Sequence, residues 1–273
     1  MMAAMDHSSD GELPARPVIG ILHPGAMGAA LGSALKARAG AVIWADAGRS
    51  HATAKRAELA DLVAVPAVVD LARRADVVIS ICPPHAAREV AEQVAAGIAG
   101  TDRRPLYLDA NAVSPATIAG IGTLFGDALV DGAVIGPPAW EPGRTMLWLS
   151  GRFAAEVGEL FAGTPFGVRV LGAEPGTASA LKACFALQSK ALPAIWLALD
   201  EAARAYGVED PLREELARAG VDLDERLAPI AAVAREKGWR WVGEMEEAAA
   251  ALAAVGVPDG FSRAAAEIYR RAR

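Results

Sequence analysis

The chain has 273 residues, of which 53% are hydrophobic, and a formal net charge of −6. Acidic and basic residues are mixed without a basic stripe, which argues against nucleic acid as a partner. No uncharged apolar run is long enough to cross a membrane, and the two cysteines lie far apart, so we expect no membrane anchor, disulfide scaffold or metal site. We expect a cytoplasmic protein whose residues 1–15, lacking the apolar stretch of a signal peptide, form a disordered tail.

Short β-branched runs alternate with helical patterns through the first part of the chain. Such alternation indicates βαβ units and a mainly parallel sheet with helices on both faces. After about Thr177 the strand signal stops, and helical patterns follow one another. We therefore predict an α/β plus all-α protein, with a doubly wound parallel sheet in 16–172 and a helical domain in 173–273. The predicted strands are 17–22, 41–45, 62–65, 76–82, 105–111, 127–136, 145–151 and 166–172, and the helices between them are 27–38, 50–60, 67–75 and 85–98.

The turn after the first predicted strand is similar to a dinucleotide fingerprint, G-x-G-x-x-G. The six positions are His23, Pro24, Gly25, Ala26, Met27 and Gly28, so the second and third glycines are present and His23 replaces the first. The second glycine admits the pyrophosphate, the third lets the helix pack on the strand, and the helix amides bind phosphate. Histidine tolerates left-handed dihedral angles better than most residues. We expect His23 to adopt an unusual backbone or to contact the cofactor through its ring, and the alternative is a plain strand–helix turn.

The end of the second predicted strand gives conflicting signals about the cofactor. Asp46 would accept hydrogen bonds from the ribose hydroxyls of NAD, as in a Rossmann domain. Arg49 and Ser50, which follow directly, suit the 2′-phosphate of NADP. The two hydrogen-bond donors, Arg49 and Ser50, and the positive charge nearby outweigh the single carboxylate of Asp46. We therefore predict NADP, with NAD as the alternative.

Three more predicted strands end in unusual residues. Cys82, Pro83 and Pro84 form a rigid loop that could cover the nicotinamide ribose, Asn111 lies in the next loop, and a Gly-Pro-Pro run begins at Gly136. In open α/β sheets, ligands bind beyond the carboxyl ends of the strands. Proline and glycine also occur in loops that bind nothing, but the shared position favours a site.

Lys182 and Lys190 are the only charged residues between Glu174 and Asp200. A helix this apolar is mostly buried. Lys182 therefore either reaches a surface or faces a cleft, where desolvation would lower its pKa and allow it to move protons. The pattern alone favours the surface position for Lys182 and a structural role for Lys190.

The chain resembles the β-hydroxyacid dehydrogenase superfamily, which includes 3-hydroxyisobutyrate and 6-phosphogluconate dehydrogenases and, more distantly, imine reductases. The stretches that carry the resemblance are IGILHPGAMGAALGSAL, SICPPHAA, YLDANAVSP, VDGAVIGPP and GAEPGTASALK. The resemblance implies that Lys182 is the general acid/base. It also implies a site between the two domains, and a helical domain that binds substrate and pairs into a homodimer.

Three substrate-binding features of the superfamily are altered here. Its Asp-Gly-x-x-Ser-Gly-Gly motif begins at Asp131 with Ile135 in place of serine, Ala186 replaces an asparagine, and Glu244 lies where a Lys-Asp pair is missing. These departures imply a small, non-standard hydroxy-acid-like substrate. The resemblance places it against Asn111, Gly132, Ile135, Gly136 and Glu244.

We therefore predict an NADP-preferring dehydrogenase or reductase. It would transfer a hydride between the nicotinamide and a carbonyl or alcohol carbon, with Lys182 moving the proton. One alternative is an imine reductase, which acts on a C=N bond. The other is a redox sensor that binds the dinucleotide without turnover, and loss of turnover in Lys182→Ala with cofactor binding kept would argue for catalysis.

Overall fold

The computed structural model describes residues 13–272, so most of the tail predicted for 1–15 lies outside the described residues. The chain forms two compact units. The sheet unit extends to Ala178. The helical unit begins at Ser179 and includes two short loops from the first part of the chain, Pro83–His85 and Ala112–Ala116.

The sheet unit contains one eight-stranded sheet in the order β3-β2-β1-β4-β5-β6-β7-β8. The first six strands are parallel, β7 is antiparallel to β6, and β8 is parallel to β7. The order reverses between β1 and β4, which is the switch point where doubly wound sheets bind ligands. The predicted fold class is confirmed. The strands are β1 (Val18–Ile21), β2 (Ala41–Ala45), β3 (Val63–Val65), β4 (Val77–Ser80), β5 (Leu106–Asp109), β6 (Leu129–Ile135), β7 (Thr145–Ser150) and β8 (Phe166–Gly172).

Six α-helices connect these strands, and two of them were not predicted. The helix α5 contains two glycines and several β-branched residues, which have low helix propensity, although it starts favourably on Pro115. The helix α6 has only six residues, too few to show a helical period. The six are α1 (Ala26–Leu35), α2 (His51–Leu59), α3 (Val68–Arg74), α4 (Ala87–Ile98), α5 (Pro115–Phe125) and α6 (Ala154–Glu159).

The last part of the chain is helical, as predicted. A π-helical turn, Leu187–Ala191, joins the first two of its helices into one continuous rod. The buried core of this unit is rich in alanine, so the helices pack closely around Met245 and Tyr269. Within residues 13–272 no helix has the length and apolarity needed to span a membrane. The helices are α7 (Thr177–Ala186), α8 (Leu192–Tyr206), α9 (Glu209–Arg218), α10 (Leu223–Ala254) and α11 (Gly260–Arg271).

Candidate functional site

The turn between β1 and α1 has the tight geometry of a glycine turn although it begins with histidine. His23 has a φ of 94°, which is the unusual backbone that we expected as one of two possibilities. Its carbonyl oxygen accepts a hydrogen bond from Gly25 N at 2.7 Å. A Cβ at Gly28 would lie 2.4 Å from the same oxygen, so only glycine lets the helix approach this closely.

Close packing does not explain the glycine at position 25, because no atom lies within 4 Å of the position that its Cβ would take. Gly25 is the N-cap of α1 and provides no side-chain cap, and the first turn contains no acidic residue. The amides of Ala26, Met27 and Gly28 have no acceptor within the helix, since the first amides of any α-helix lack one. Open space in front of the positive end of a helix forms an anion-binding surface.

Two buried polar atoms of the sheet unit lie near this turn without a hydrogen-bond partner. They are Nδ1 of His23 and Nε of Arg49. Burial, and next the positive charge of Arg49, lower the pKa of His23 to about 4, so the ring is neutral above that pH. Burial also lowers the pKa of Arg49, and its charge acts on Cys82. Buried polar atoms are rarely left unpaired in proteins, and an anionic ligand would accept a hydrogen bond from Arg49 Nε.

The loop after β2 places the cofactor-selecting candidates at the end of that strand. Asp46 is exposed, and its carbonyl oxygen accepts a hydrogen bond from Arg49 N at 3.1 Å. Ser50 is the N-cap of α2, where its Oγ accepts a hydrogen bond from Thr53 N. An apolar pocket opens beside this loop, with Arg49 and Gln93 as its polar members. Its lining is Ala45, Ala47, Arg49, Ala67, Val68, Val69, Gln93, Ala96 and Gly97.

The ends of β4 and β5 are joined by the side chain of Asn111. Its Oδ1 accepts a hydrogen bond from Cys82 N at 2.5 Å, and its Nδ2 donates to Ser80 Oγ and Asp109 Oδ2 at 3.0 and 2.9 Å. Burial raises the pKa of Cys82 to about 12, so its thiol is neutral. Pro83 is half-buried and Pro84, which begins a 3₁₀ turn, is buried. Asn111 therefore positions the loop, and its contact with substrate or nicotinamide stays a prediction.

Asp131, in β6, fixes the start of the helix that carries Lys182. Its Oδ2 accepts hydrogen bonds from Ser150 Oγ at 3.0 Å and Gly176 N at 2.8 Å. Ser150 Oγ in turn accepts one from Ala178 N at 3.1 Å, at the beginning of α7. This buried network joins β6, β7 and α7.

The three substrate candidates that follow Asp131 differ in exposure. Gly132 is buried, and a Cβ there would lie 2.7 Å from Leu108 Cδ1. Ile135 is half-buried and Gly136 is exposed, with a φ of 130° and a Cβ position 2.4 Å from Arg144 O. Both glycines thus have a packing reason of their own, and the substrate contacts of all three residues stay predictions.

Lys182 lines a pocket of the helical unit together with three other charged side chains. Lys190 Nζ lies 2.9 Å from Glu244 Oε2, and the two side chains are only 17% and 13% exposed. Glu247, one helical turn after Glu244, accepts a hydrogen bond from Ser114 N at 2.6 Å. Sequence reasoning missed Lys190 and Glu247 as site candidates, although a spacing of three puts Glu244 and Glu247 on one face of a helix. The full lining is Ala112, Val113, Lys182, Ala183, Ala186, Lys190, Glu244, Glu247 and Ala248.

Comparisons with known proteins match two parts of the chain to domain families. Residues 2–105 match a Rossmann-like domain, and residues 203–272 match a domain of unknown function, DUF1932. An uncharacterized 28.5 kDa protein of Methanothermus fervidus is 33% identical over 172 residues. That match covers 62% of this chain and 64% of the relative, which is just under two thirds.

Solved structures share the fold over nearly the whole chain. A conserved protein of unknown function, MTH1747, described as similar to 3-hydroxyacid dehydrogenases, has 26% identity and a TM-score of 0.66, covering 93% of this chain and 96% of that one. The 3-hydroxyisobutyrate dehydrogenase of Mycobacterium tuberculosis, solved with L-serine, has 19% identity and a TM-score of 0.64, covering 94% and 93%. An imine reductase of Myxococcus stipitatus, solved with NADP⁺, has 19% identity and a TM-score of 0.56, covering 94% of each.

The chain therefore contains a Rossmann-like domain followed by a DUF1932 domain, and it shares its fold with a protein described as similar to 3-hydroxyacid dehydrogenases.

Proposed function

We propose that this protein is an NADP-preferring oxidoreductase that transfers a hydride between the nicotinamide and a carbonyl or alcohol carbon of a small molecule. The observation that carries the proposal is the buried, unpartnered Nε of Arg49, whose charge acts on His23 of the glycine turn, together with the open space at Gly25. Solved structures that share its fold include a dehydrogenase, and an imine reductase solved with NADP⁺. When bound, a nicotinamide dinucleotide supplies the hydride chemistry that no side chain can provide.

The residues of the sheet unit fit such a cofactor. The first amides of α1 bind the diphosphate, for which the open Gly25 leaves room. The apolar pocket beside Arg49 accepts the adenine, and Arg49 and Ser50 bind the 2′-phosphate. With NAD, Asp46 would instead accept hydrogen bonds from the ribose. Cys82, Pro83, Pro84 and Asn111 belong to the nicotinamide end of this proposed site.

Lys182 is the proposed general acid/base. In the reductive direction its ammonium donates a proton to the oxygen of the carbonyl group, and in the oxidative direction its amine takes the proton from the hydroxyl. Asn111, Gly132, Ile135, Gly136 and Glu244 are the proposed substrate contacts. The substrate is hydroxy-acid-like but non-standard, because Ile135 and Ala186 cannot provide the hydrogen bonds of a serine and an asparagine.

An imine reductase is the second candidate. Glu244 and Glu247 both line the pocket that contains Lys182. Each carboxylate would attract a positively charged iminium group and repel a substrate carboxylate, although Lys190 already neutralises Glu244. One of the structures that share the fold is an imine reductase.

We also propose a homodimer formed through the helical unit. Phe185, Leu192 and Ile195 are 42%, 44% and 47% exposed on α7 and α8. Leu192 and Ile195 are three residues apart and lie on one side of α8. A second copy of the chain would cover these apolar side chains, and analytical ultracentrifugation of the full chain tests this with Ile195→Glu, which should dissociate the dimer.

The first experiment is calorimetric titration of the protein with NADPH and, in parallel, with NADH. We expect NADPH to bind at least about tenfold more tightly. The second is consumption of NADPH with a panel of carbonyl compounds and imines. The Lys182→Met variant should lose turnover and keep NADPH binding, whereas the surface variant Lys237→Met should keep both.

The outcomes of these two experiments distinguish the proposed function from its alternatives. Failure to bind either dinucleotide would overturn the oxidoreductase proposal. Turnover that survives in Lys182→Met would remove the proposed role of this lysine. Tight NADPH binding with no turnover of any carbonyl compound or imine would favour a redox sensor, and turnover of imines alone would favour the second candidate.

A further inference from the structure

A buried tyrosine fixes the backbone of Lys190, which forms an ion pair with Glu244. Lys190 lies in the π-helical turn between α7 and α8, and such turns are frequent at functional sites. The carbonyl oxygen of Lys190 accepts a hydrogen bond from Tyr269 Oη at 2.6 Å. Tyr269 is fully buried and packs edge-on against Trp241. The backbone beneath Lys190 is therefore fixed, and so is the position from which its ammonium reaches Glu244.

Both partners face the pocket that contains Lys182. Glu244 interacts electrostatically with Lys190, Lys182 and Arg240, and Glu247 lines the same pocket from α10. Burial alone would raise the pKa of Glu244, but Lys190 and Lys182 lower it, and the net direction is downward. The carboxylate is therefore charged, and Lys190, Lys182 and Arg240 all act on it.

We propose that Lys190 and Glu244 are positioning residues that together set the charge state of Lys182. The carboxylate of Glu244 favours the charged form of Lys182, whereas the ammonium of Lys190 opposes it, directly and by occupying that carboxylate. If Lys182 is the proton donor of the proposed function, this pair decides the pH range in which Lys182 can both give and take a proton.

The two members of the pair must therefore act on Lys182 in opposite directions. Removing the charge of Glu244 takes away an attraction and leaves Lys190 unpaired, and both effects make the ammonium of Lys182 easier to deprotonate. Removing Lys190 takes away a repulsion and leaves Glu244 to interact with Lys182 and Arg240, which makes the ammonium of Lys182 harder to deprotonate. A pair that only held α10 against the π-helical turn would not produce opposite signs.

The test uses the titration of Lys182 itself, measured without cofactor or substrate. The chain contains only five lysines, so protein labelled with ¹³C at the lysine Cε gives a small set of signals. Lys36, Lys55 and Lys237 form exposed surface ion pairs and serve as internal references. Each signal is assigned by substituting its lysine with arginine, and its midpoint is followed by NMR as the pH rises.

In Glu244→Gln we expect the midpoint of Lys182 to fall by about one pH unit, and in Lys190→Met to rise by about one pH unit. The matched control is Glu246→Gln, on the same helix but paired with Arg270 at the surface, which should leave the midpoint unchanged. Glu244→Asp keeps the charge and should stay near the wild-type midpoint. The comparison of Glu244→Asp with Glu244→Gln remains decisive if Lys190→Met does not fold.

An unchanged midpoint in Glu244→Gln, or shifts of the same sign in Glu244→Gln and Lys190→Met, would overturn the inference. This failure is distinct from that of the proposed function, which would be seen as absent NADPH binding or as turnover that does not need Lys182. A lysine that titrates as expected in a protein that binds no NADPH would leave the charge relationship intact and remove its catalytic meaning.

Discussion

Gly28 packs directly against the carbonyl oxygen of His23, and a Cβ on Gly28 would lie 2.4 Å from that oxygen. Gly25, three residues earlier, faces open space, and its Cβ would meet no atom within 4 Å. The presence of glycine at these two positions of one turn therefore has two different physical causes. Gly28 is required by the fold, whereas the fold does not require glycine at position 25, which we propose leaves room for the cofactor.

Alanine substitutions separate these two reasons. Gly25→Ala should fold with an unchanged unfolding temperature but bind NADPH about tenfold or more weakly, because its methyl group occupies the space for the diphosphate. Gly28→Ala should lose about 1–3 kcal/mol of stability, since backbone must move to admit the methyl group. Thermal unfolding and calorimetry on both variants test this. Normal NADPH binding by a folded Gly25→Ala would contradict the proposed site.

Substitutions of His23 distinguish the role of its backbone conformation from the role of its imidazole ring. His23 has a φ of 94°, and a non-glycine residue in this region costs about 1 kcal/mol or more. His23→Gly should therefore be more stable than His23→Ala by about 1 kcal/mol, because alanine keeps the strain and glycine does not. Urea unfolding of the pair provides the measurement. If both variants keep the wild-type affinity for NADPH, the ring is not a cofactor ligand. An equal loss of NADPH affinity in both variants would show that the ring is a ligand.

The neutral, buried ring of His23 predicts a loss of stability in acid. Burial and Arg49 lower its pKa from 6.5 to about 4, so between these values the unfolded chain binds a proton that the folded protein does not. Stability from this group is complete above pH 6.5 and falls as the pH decreases toward about 4. Unfolding temperatures measured across this range should fall less steeply in His23→Ala. The exposed His85, substituted in the same way, should leave the wild-type slope unchanged.

The strand pattern was readable in the sequence because strands of a parallel sheet are buried on both faces and appear as continuous apolar runs. The reversed direction of β7 could not be predicted from the sequence, since composition does not encode strand direction. The helices α5 and α6 were missed through low propensity and short length. The apolar surroundings of Lys182 made it stand out, but only the resemblance implied its role as general acid/base, which stays a prediction. Its neighbours Lys190 and Glu244 pair only through the packing of distant helices, so no local pattern brings them together.

Arg49 should decide between the two dinucleotides. Arg49→Met should weaken NADPH binding by about ten- to a hundredfold and NADH binding much less, because only NADPH has the 2′-phosphate. The variant should also unfold at the wild-type temperature or above, since it removes a buried Nε that has no hydrogen-bond partner. Calorimetry with both dinucleotides provides the measurement. Arg56→Met, on the following helix, is the control and should change neither affinity. An equal loss for NADPH and NADH would assign Arg49 to the diphosphate instead.

Asp131 should stabilise the fold by holding the start of α7. Its Oδ2 accepts hydrogen bonds from Ser150 Oγ and Gly176 N, and an amide in place of the carboxylate offers them a weaker, uncharged acceptor. Asp131→Asn should therefore lose about 1–3 kcal/mol of stability. The amides of Gly176 and Ala178 should also exchange hydrogen faster, because both donate into this network.

The matched control for Asp131→Asn is Asp127→Asn. Asp127 pairs with Arg152 at the surface, and surface substitutions of this kind change stability by about 0.5 kcal/mol or less. Urea unfolding and amide exchange are measured on both variants. Equal stability of the two would show that the buried carboxylate does not hold the helix. Lost stability with unchanged exchange at Gly176 and Ala178 would place the effect of Asp131 in the sheet rather than at the start of the helix that carries Lys182.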